Sequence, residues 1–230
     1  MVIEVVRAVH IGAGVVALLA FPVPLVAAKG GRLHRRAGRV YVTAAAVIAA
    51  TAIVACVHRL LFGGGPGGLD GTLLLGFLAL LAANAARTGL RVLRLKERRA
   101  PHDLKRDLAL PAVLLVLAVA LGTSGFLRHV PLHAAFGIVG VIISIRHLRY
   151  WRSTPSTPLH WKYQHMQSMV GSTIATLTAF LVVNARAFGL EGTSLTAAWL
   201  APTLVGLPGV AIWIARLRRR ETPARAAHAA

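Results

Sequence analysis

The sequence predicts an all-α integral membrane protein, a bundle of seven transmembrane helices with the N-terminus outside and the C-terminus in the cytoplasm. Its 230 residues are 56% hydrophobic and 14% charged, whereas soluble domains carry about 25% charged residues. Several apolar runs reach the roughly 20 residues that cross the hydrocarbon core of a bilayer. These runs are continuous rather than alternating, which favours helices over a transmembrane barrel.

The predicted spans form one transmembrane domain over residues 1–217. Pro22 and Pro24 should kink the first span, and Pro131 suits the first turn of the fifth. A basic tail over residues 218–230 should be disordered. The spans lie at about residues 7–28, 40–61, 72–93, 107–127, 131–150, 163–184 and 195–217.

The positive charges predict the orientation of these spans. On one side of the predicted membrane lie Arg7, Arg59, Arg128 and Arg186, and the other 22 of the 26 Lys and Arg residues lie on the opposite side. Positive loops stay in the cytoplasm. An outside N-terminus and a cytoplasmic C-terminus satisfy this rule for all seven spans.

The net charge of +19 does not indicate nucleic-acid binding, because the basic residues lie between apolar runs. That placement is typical of orientation signals. The expected partners are the lipid bilayer and, at the basic turn Lys29–Arg39, the anionic headgroups of the cytoplasmic leaflet. The single cysteine, Cys56, excludes an intrachain disulfide.

The stretch Leu159–Asn184 is the best functional lead. At 100° per residue, its polar side chains fall within one narrow arc, with Met169 beside them. A helix that faced only lipid would not align its hydroxyls, so this one should face other helices. The arc contains His165, Ser168, Ser172 and Thr176.

A b-type haem is the predicted cofactor, and it would make the protein a membrane electron-transfer protein. Such a haem needs two axial ligands from facing helices and small residues beside them. His10 and His133 are each followed by glycine four residues later, and His147 and His165 lie at the other side of the membrane. Arg146 is a candidate partner of a haem propionate.

Two other functions stay open. A transporter or channel for a small solute or metal ion is the first, since the pair His165 and Met169 suits copper. A structural module without catalysis is the second, because histidines are also comfortable at membrane interfaces. No hydrolase, zinc-protease or phosphate-loop motif occurs, so no catalytic residue is predicted.

Two stretches resemble a known family. Lys29–Tyr41 resembles its KGG-x-LHRR-x-GR-x-Y turn, and His165–Asn184 resembles its late HM…GS-x-IA…TAF…N helix. The family comprises multi-span bacterial membrane proteins of unknown function, and the resemblance follows the spans through the sixth. It implies a bacterial inner-membrane protein. The signature residues are His10, His34, Arg36, Gly38, Tyr41, His165, Gly171 and Asn184. Tyr41 is also an expected hydrogen-bond partner of His34.

Overall fold

The computed structural model describes residues 2–64, 67–102 and 104–229, with side chains up to residue 219. Within these residues the chain is helical and contains no strand. Seven helical segments are long and apolar enough to cross a membrane, as the sequence predicts. The α-helices are α1 (Val2–Ala20), α2 (Pro22–Val26), α3 (Arg32–Phe62), α4 (Gly68–Arg91), α5 (Lys105–Leu127), α6 (Pro131–Arg152), α7 (His160–Val183) and α8 (Gly192–Ala229).

The first segment is interrupted where the sequence predicts a kink. Helix α1 ends at Ala20, and α2 begins at Pro22. Proline lacks the backbone N–H that would continue the helix. The two helices together give the apolar segment Val2–Val26.

Several boundaries differ from those predicted. Helix α3 begins at Arg32, so most of the basic turn forms its first two turns instead of a loop. The backbone of α8 stays helical to Ala229, whereas we expected disorder from residue 218. Alanine and arginine are strong helix formers, and both are frequent in this tail. The side chains of residues 220–229, and residue 230 altogether, lie outside the described part.

Helix α4 is the central helix of the bundle. Half of its most apolar window is buried, against 6% for the first segment. It packs on α3, α5, α6 and α7. Its residues Leu74, Phe77 and Leu81 join a core with Leu114 of α5 and Trp199 of α8.

Helices α5 and α6 form the tightest pair. Gly122 of α5 lies against Gly137 of α6, and a Cβ on Gly137 would overlap the backbone of Gly122. Small residues at such crossings let two backbones approach closely. This close approach fixes how α6 meets the rest of the bundle.

The connecting segments lie at two ends. At one end, which we call the basic end, the α4–α5 segment meets the α6–α7 loop: the His102 backbone N–H donates to Trp151 O at 2.8 Å, and His160 Nε2 donates to Lys96 O at 3.2 Å. Lys29 lies over the Trp213 ring there, at 5.5 Å. At the opposite end, Arg128 forms an ion pair with Asp70 at 2.7 Å.

Candidate functional site

The polar face of α7 packs against other helices, as its periodicity predicts. Ser168 is 2% exposed and Ser172 is fully buried. Tyr41 of α3 donates its hydroxyl proton to Ser172 Oγ at 3.0 Å and accepts from Thr173 Oγ1 at 3.3 Å. Gln164 Nε2 donates to Ser168 Oγ at 3.2 Å. A line of hydrogen-bonded hydroxyls therefore runs along α7, where this helix meets α3 and α4.

A pair of histidines lies at the basic end of this line. The rings of His34 and His165 are edge to face, with centroids 6.4 Å apart. His34 Nδ1 donates to Pro24 O at 3.1 Å, and His165 Nδ1 donates to Gly89 O at 2.7 Å. A proton on Nδ1 makes Nε2 of each neutral ring an acceptor. No described residue contributes a hydrogen bond to either Nε2 atom.

Residues from the two signature stretches thus meet in space. We call the group of His34, Tyr41, His165, Ser168 and Ser172 the polar interior site. Tyr41 bonds to Ser172, 131 residues away; its expected bond to His34 does not form, since His34 Nδ1 donates to the end of α2.

The end of α2 borders the mouth of the site, where Pro24 O accepts the hydrogen bond from His34. Lys29 Nζ donates to Pro24 O at 2.8 Å and to Leu25 O at 2.5 Å. A cation is favoured at these carbonyls by the helix dipole. Burial lowers the pKa of Lys29.

A second buried polar group lies on α4 and α6. Asn84 Nδ2 donates to His147 Nδ1 at 2.8 Å, and both residues are buried. Asn84 Oδ1, Thr88 Oγ1 and Ser144 Oγ are buried without a hydrogen-bond partner among the described residues. Unpaired buried polar atoms cost free energy, so these three reduce the stability that the helix contacts provide.

The structure gives the other predicted haem ligands separate environments. His10 Nδ1 donates to Thr51 Oγ1 at 2.8 Å, and His133 Nε2 donates to Asp70 O at 3.0 Å. No hydrogen bond or ring contact joins His10 to His133, or His147 to His165, in the part of the chain that the structure describes. Arg146 is exposed, one residue before buried His147.

Gly137 does not have the role that we expected. It was predicted to leave room for a ring beside His133, but Gly122 fills that space. His133 itself is 1% exposed, and its Nδ1 has no hydrogen-bond partner in the described part of the chain. This glycine serves the contact between α5 and α6.

His165 and Met169 both contact Gly89 of α4. His165 bonds to its carbonyl, and a Cβ on Gly89 would overlap the terminal methyl of Met169. The described residues contain no group of three or more histidine, cysteine or acidic side chains suited to a metal ion. The predicted copper pair is thus engaged with helix α4.

Thr176 of the polar arc and the remaining signature residues make local contacts or lie in open surroundings. Thr176 Oγ1 donates back to Ser172 O at 3.0 Å, and Asn184 Nδ2 donates back to Phe180 O at 2.8 Å. Arg36 is exposed. Around Gly38 the space is open, and Gly171 would meet only Ala85 in ordinary contact.

Sequence reasoning missed an ionic cluster at the basic end. Asp107 is fully buried, and its carboxylate accepts from Arg87 at 2.8 Å, Arg91 Nε at 2.9 Å and His102 Nε2 at 2.8 Å. From the sequence, Asp107 was only the first residue of the fourth predicted span, and His102 had no predicted role. The one available signal was an acidic residue beside a strongly basic segment.

Arg98 fastens the α4–α5 segment to the end of α6. It donates to Tyr150 O and Ser153 O, both at 2.8 Å, and its guanidinium lies over the Tyr150 ring at 4.8 Å. Tyr150 in turn donates to His160 Nδ1 at 2.8 Å. A polar cavity of about 130 Å³ lies beside these residues.

Comparison of the chain with protein-family models, curated proteins and solved structures finds no match. The family resemblance of the two signature stretches stays a prediction.

Proposed function

We propose that this protein is a membrane transporter or channel for a small polar solute, which enters the polar interior site from the basic end. One observation carries the proposal: His34 and His165, from α3 and α7, meet at the mouth of a line of buried hydroxyls. Packing alone needs no hydroxyls, because glycine and alanine give close helix contacts.

The chemistry of the pair favours a solute with hydrogen-bond donors. Backbone carbonyls hold the Nδ1 protons of both histidines, which leaves two Nε2 acceptors directed by fixed rings. The Tyr41 and Ser172 hydroxyls lie deeper, and the hydrogen bond between them joins α3 to α7. On binding, the hydrogen-bond donors of the solute would give up their bonds to water and bond to these acceptors instead.

The charge around the mouth favours neutral or anionic solutes over metal cations. Lys29 lies at the end of α2, and Arg35 donates to Gly30 O in the next turn. Asp107, the fully buried acid at this end, is neutralised by Arg87 and Arg91. A surface of one sign concentrates solutes of the opposite sign.

We further propose a bacterial inner-membrane location with the basic end in the cytoplasm. The support is the excess of Lys and Arg at that end. A reporter that works only in the cytoplasm should be active when it is fused after Ala230. A reporter that works only in the periplasm should be inactive at the same position. The reverse pattern would overturn this orientation.

Cysteine accessibility tests the proposed path. In a Cys56→Ala background, which removes the single native thiol, Ser172→Cys should react with a charged, membrane-impermeant methanethiosulfonate added from the basic end. The matched control is Leu114→Cys, because Leu114 is equally buried but lies in the apolar core. The control should stay unreactive.

Charge selectivity gives a second readout. An anionic methanethiosulfonate should modify Ser172→Cys faster than a cationic one, after each rate is divided by that of a small thiol in solution. If Ser172→Cys is as inert as Leu114→Cys, the hydroxyls only pack the helices, and the structural-module function is favoured. A faster cationic reagent would refute the proposed solute class.

A b-type haem is the second candidate, and the contact between His34 and His165 favours it. Ligating histidines commonly donate the other ring N–H to a carbonyl, and both rings do so here. The surroundings of His133 do not fit haem, since Gly122 fills the adjacent space. Purified protein from haem-replete cells should then show a Soret band that His34→Ala and His165→Ala remove and His133→Ala leaves. Colourless protein would exclude this candidate.

A further inference from the structure

A surface recess lies between α1 and α3, near the basic end. Its volume is about 700 Å³. Helix α1 belongs to the least buried of the membrane segments, so the recess opens toward the bilayer and not toward the polar interior site. The lining residues are Ala13, Val16, Arg36, Arg39, Val40, Thr43 and Ala44.

The two arginines of the recess have no partner within the part of the chain that the structure describes. Arg36 and Arg39 are exposed and form no ion pair, hydrogen bond or ring contact with any described residue. Arg91 at the same end pairs with Asp107 instead. The sequence has no acidic residue between Glu4 and Asp70. Two guanidinium groups are therefore available to an anion from outside the chain.

The recess changes from charged to apolar along the membrane normal. Arg36, Arg39, Val40 and Thr43 follow one another at helical spacing, so they share one face of α3. From residue 36 to residue 44 the helix rises about 12 Å. Ala13 and Val16 of α1 line the same recess. A phospholipid has this order of groups, with a phosphate above an acyl chain, whereas a water-soluble anion has no apolar part to match.

We propose that this recess binds one anionic phospholipid from the leaflet at the basic end. Arg36 and Arg39 contact the headgroup phosphate, to which guanidinium groups bind in a bidentate manner. An acyl chain packs on Val16 and Val40. The site is independent of the solute that the interior would carry.

Native mass spectrometry of the full chain in detergent tests this site. We would titrate phosphatidylglycerol and phosphatidylcholine with identical acyl chains. Arg36→Gln/Arg39→Gln should weaken phosphatidylglycerol binding by roughly tenfold or more, since each basic residue near an anionic headgroup contributes substantially. The matched control, Arg149→Gln/Arg152→Gln, removes the same charge from exposed positions on α6, outside the recess.

Two further measurements test the acyl part. Ala13→Phe, which fills the recess without changing charge, should also weaken phosphatidylglycerol binding, and inorganic phosphate should not displace the lipid. If Arg36→Gln/Arg39→Gln and Arg149→Gln/Arg152→Gln weaken phosphatidylglycerol binding equally, the lipid is attracted to the basic end as a whole. That result would overturn the site. Equal affinity for phosphatidylcholine, or displacement of the lipid by inorganic phosphate, would also overturn the site. The same holds if Arg36→Gln/Arg39→Gln leaves phosphatidylglycerol binding unchanged, or if Ala13→Phe does.

Discussion

Replacing Asp107 with asparagine should destabilise the protein strongly. The buried carboxylate accepts from Arg87 and Arg91 through different oxygens, at 2.8 and 2.9 Å, and from His102 at 2.8 Å. Asparagine keeps one acceptor and presents an NH₂ group to a donor. Breaking a buried ion pair costs about 3–5 kcal/mol.

The exposure of the arginines lowers that figure. The Arg87 side chain is 36% exposed, so water can solvate part of the charge that the substitution leaves unpaired. We therefore expect the free energy of unfolding to fall by about 3 kcal/mol. For a chain of this size, that corresponds to a decrease in Tm of roughly 6–12 °C.

Cys56 provides the assay. It is the single cysteine and is 8% exposed, so a thiol-reactive dye reports thermal unfolding in detergent. The control is Asp70→Asn: Asp70 is 37% exposed and pairs with Arg128, which is 48% exposed. Such a pair contributes about 1 kcal/mol or less. Equal changes in Tm for the two variants would refute the anchoring role of Asp107.

The remaining predictions concern helix contacts and use the same unfolding assay. Tyr41→Phe should lower the free energy of unfolding by about 1 kcal/mol, because buried Ser172 loses its donor. The double variant Tyr41→Phe/Ser172→Ala should then lose less than the sum of the two single variants. Additive losses would argue against the bond. Gly137→Ala should cost about 1–3 kcal/mol, because its Cβ would overlap Gly122. Gly12→Ala, with open space around Gly12, should leave Tm unchanged or slightly higher, because alanine has the higher helix propensity. A similar loss there would show that the contact with Gly122 is not what makes Gly137→Ala destabilising.

The number of spans could be predicted because an apolar run of bilayer length is a local property of the sequence. The burial of Ser168 and Ser172 was also predictable, since helical periodicity shows which residues share a face. Periodicity does not identify the opposing helix. The spacing of polar residues alone therefore could not predict the hydrogen bond from Tyr41 to Ser172, which lies 131 residues away.

The role of Asp107 was not predictable for a related reason. Its partner His102 reaches it only because the segment after α4 folds back against the end of α6, where the His102 backbone N–H bonds to Trp151 O. The sequence also could not determine which of the predicted haem ligands would pair, because they were grouped only by their depth in the membrane. Depth restricts which residues share a layer of the membrane, but helix order within the bundle decides which of them meet.

The contact between α4 and α7 also sets a sequence of events in biogenesis. Pairs α1–α3 and α5–α6 are near neighbours in the chain, and each can form soon after synthesis. His165 must wait for the ribosome to add 76 residues beyond Gly89 before their bond can form. Since chains are made from the N-terminus, α4 enters the membrane before Gly89 has α7 as a neighbour. The nascent chain therefore acquires its helical hairpins early and its polar interior site last, when the sixth membrane segment arrives.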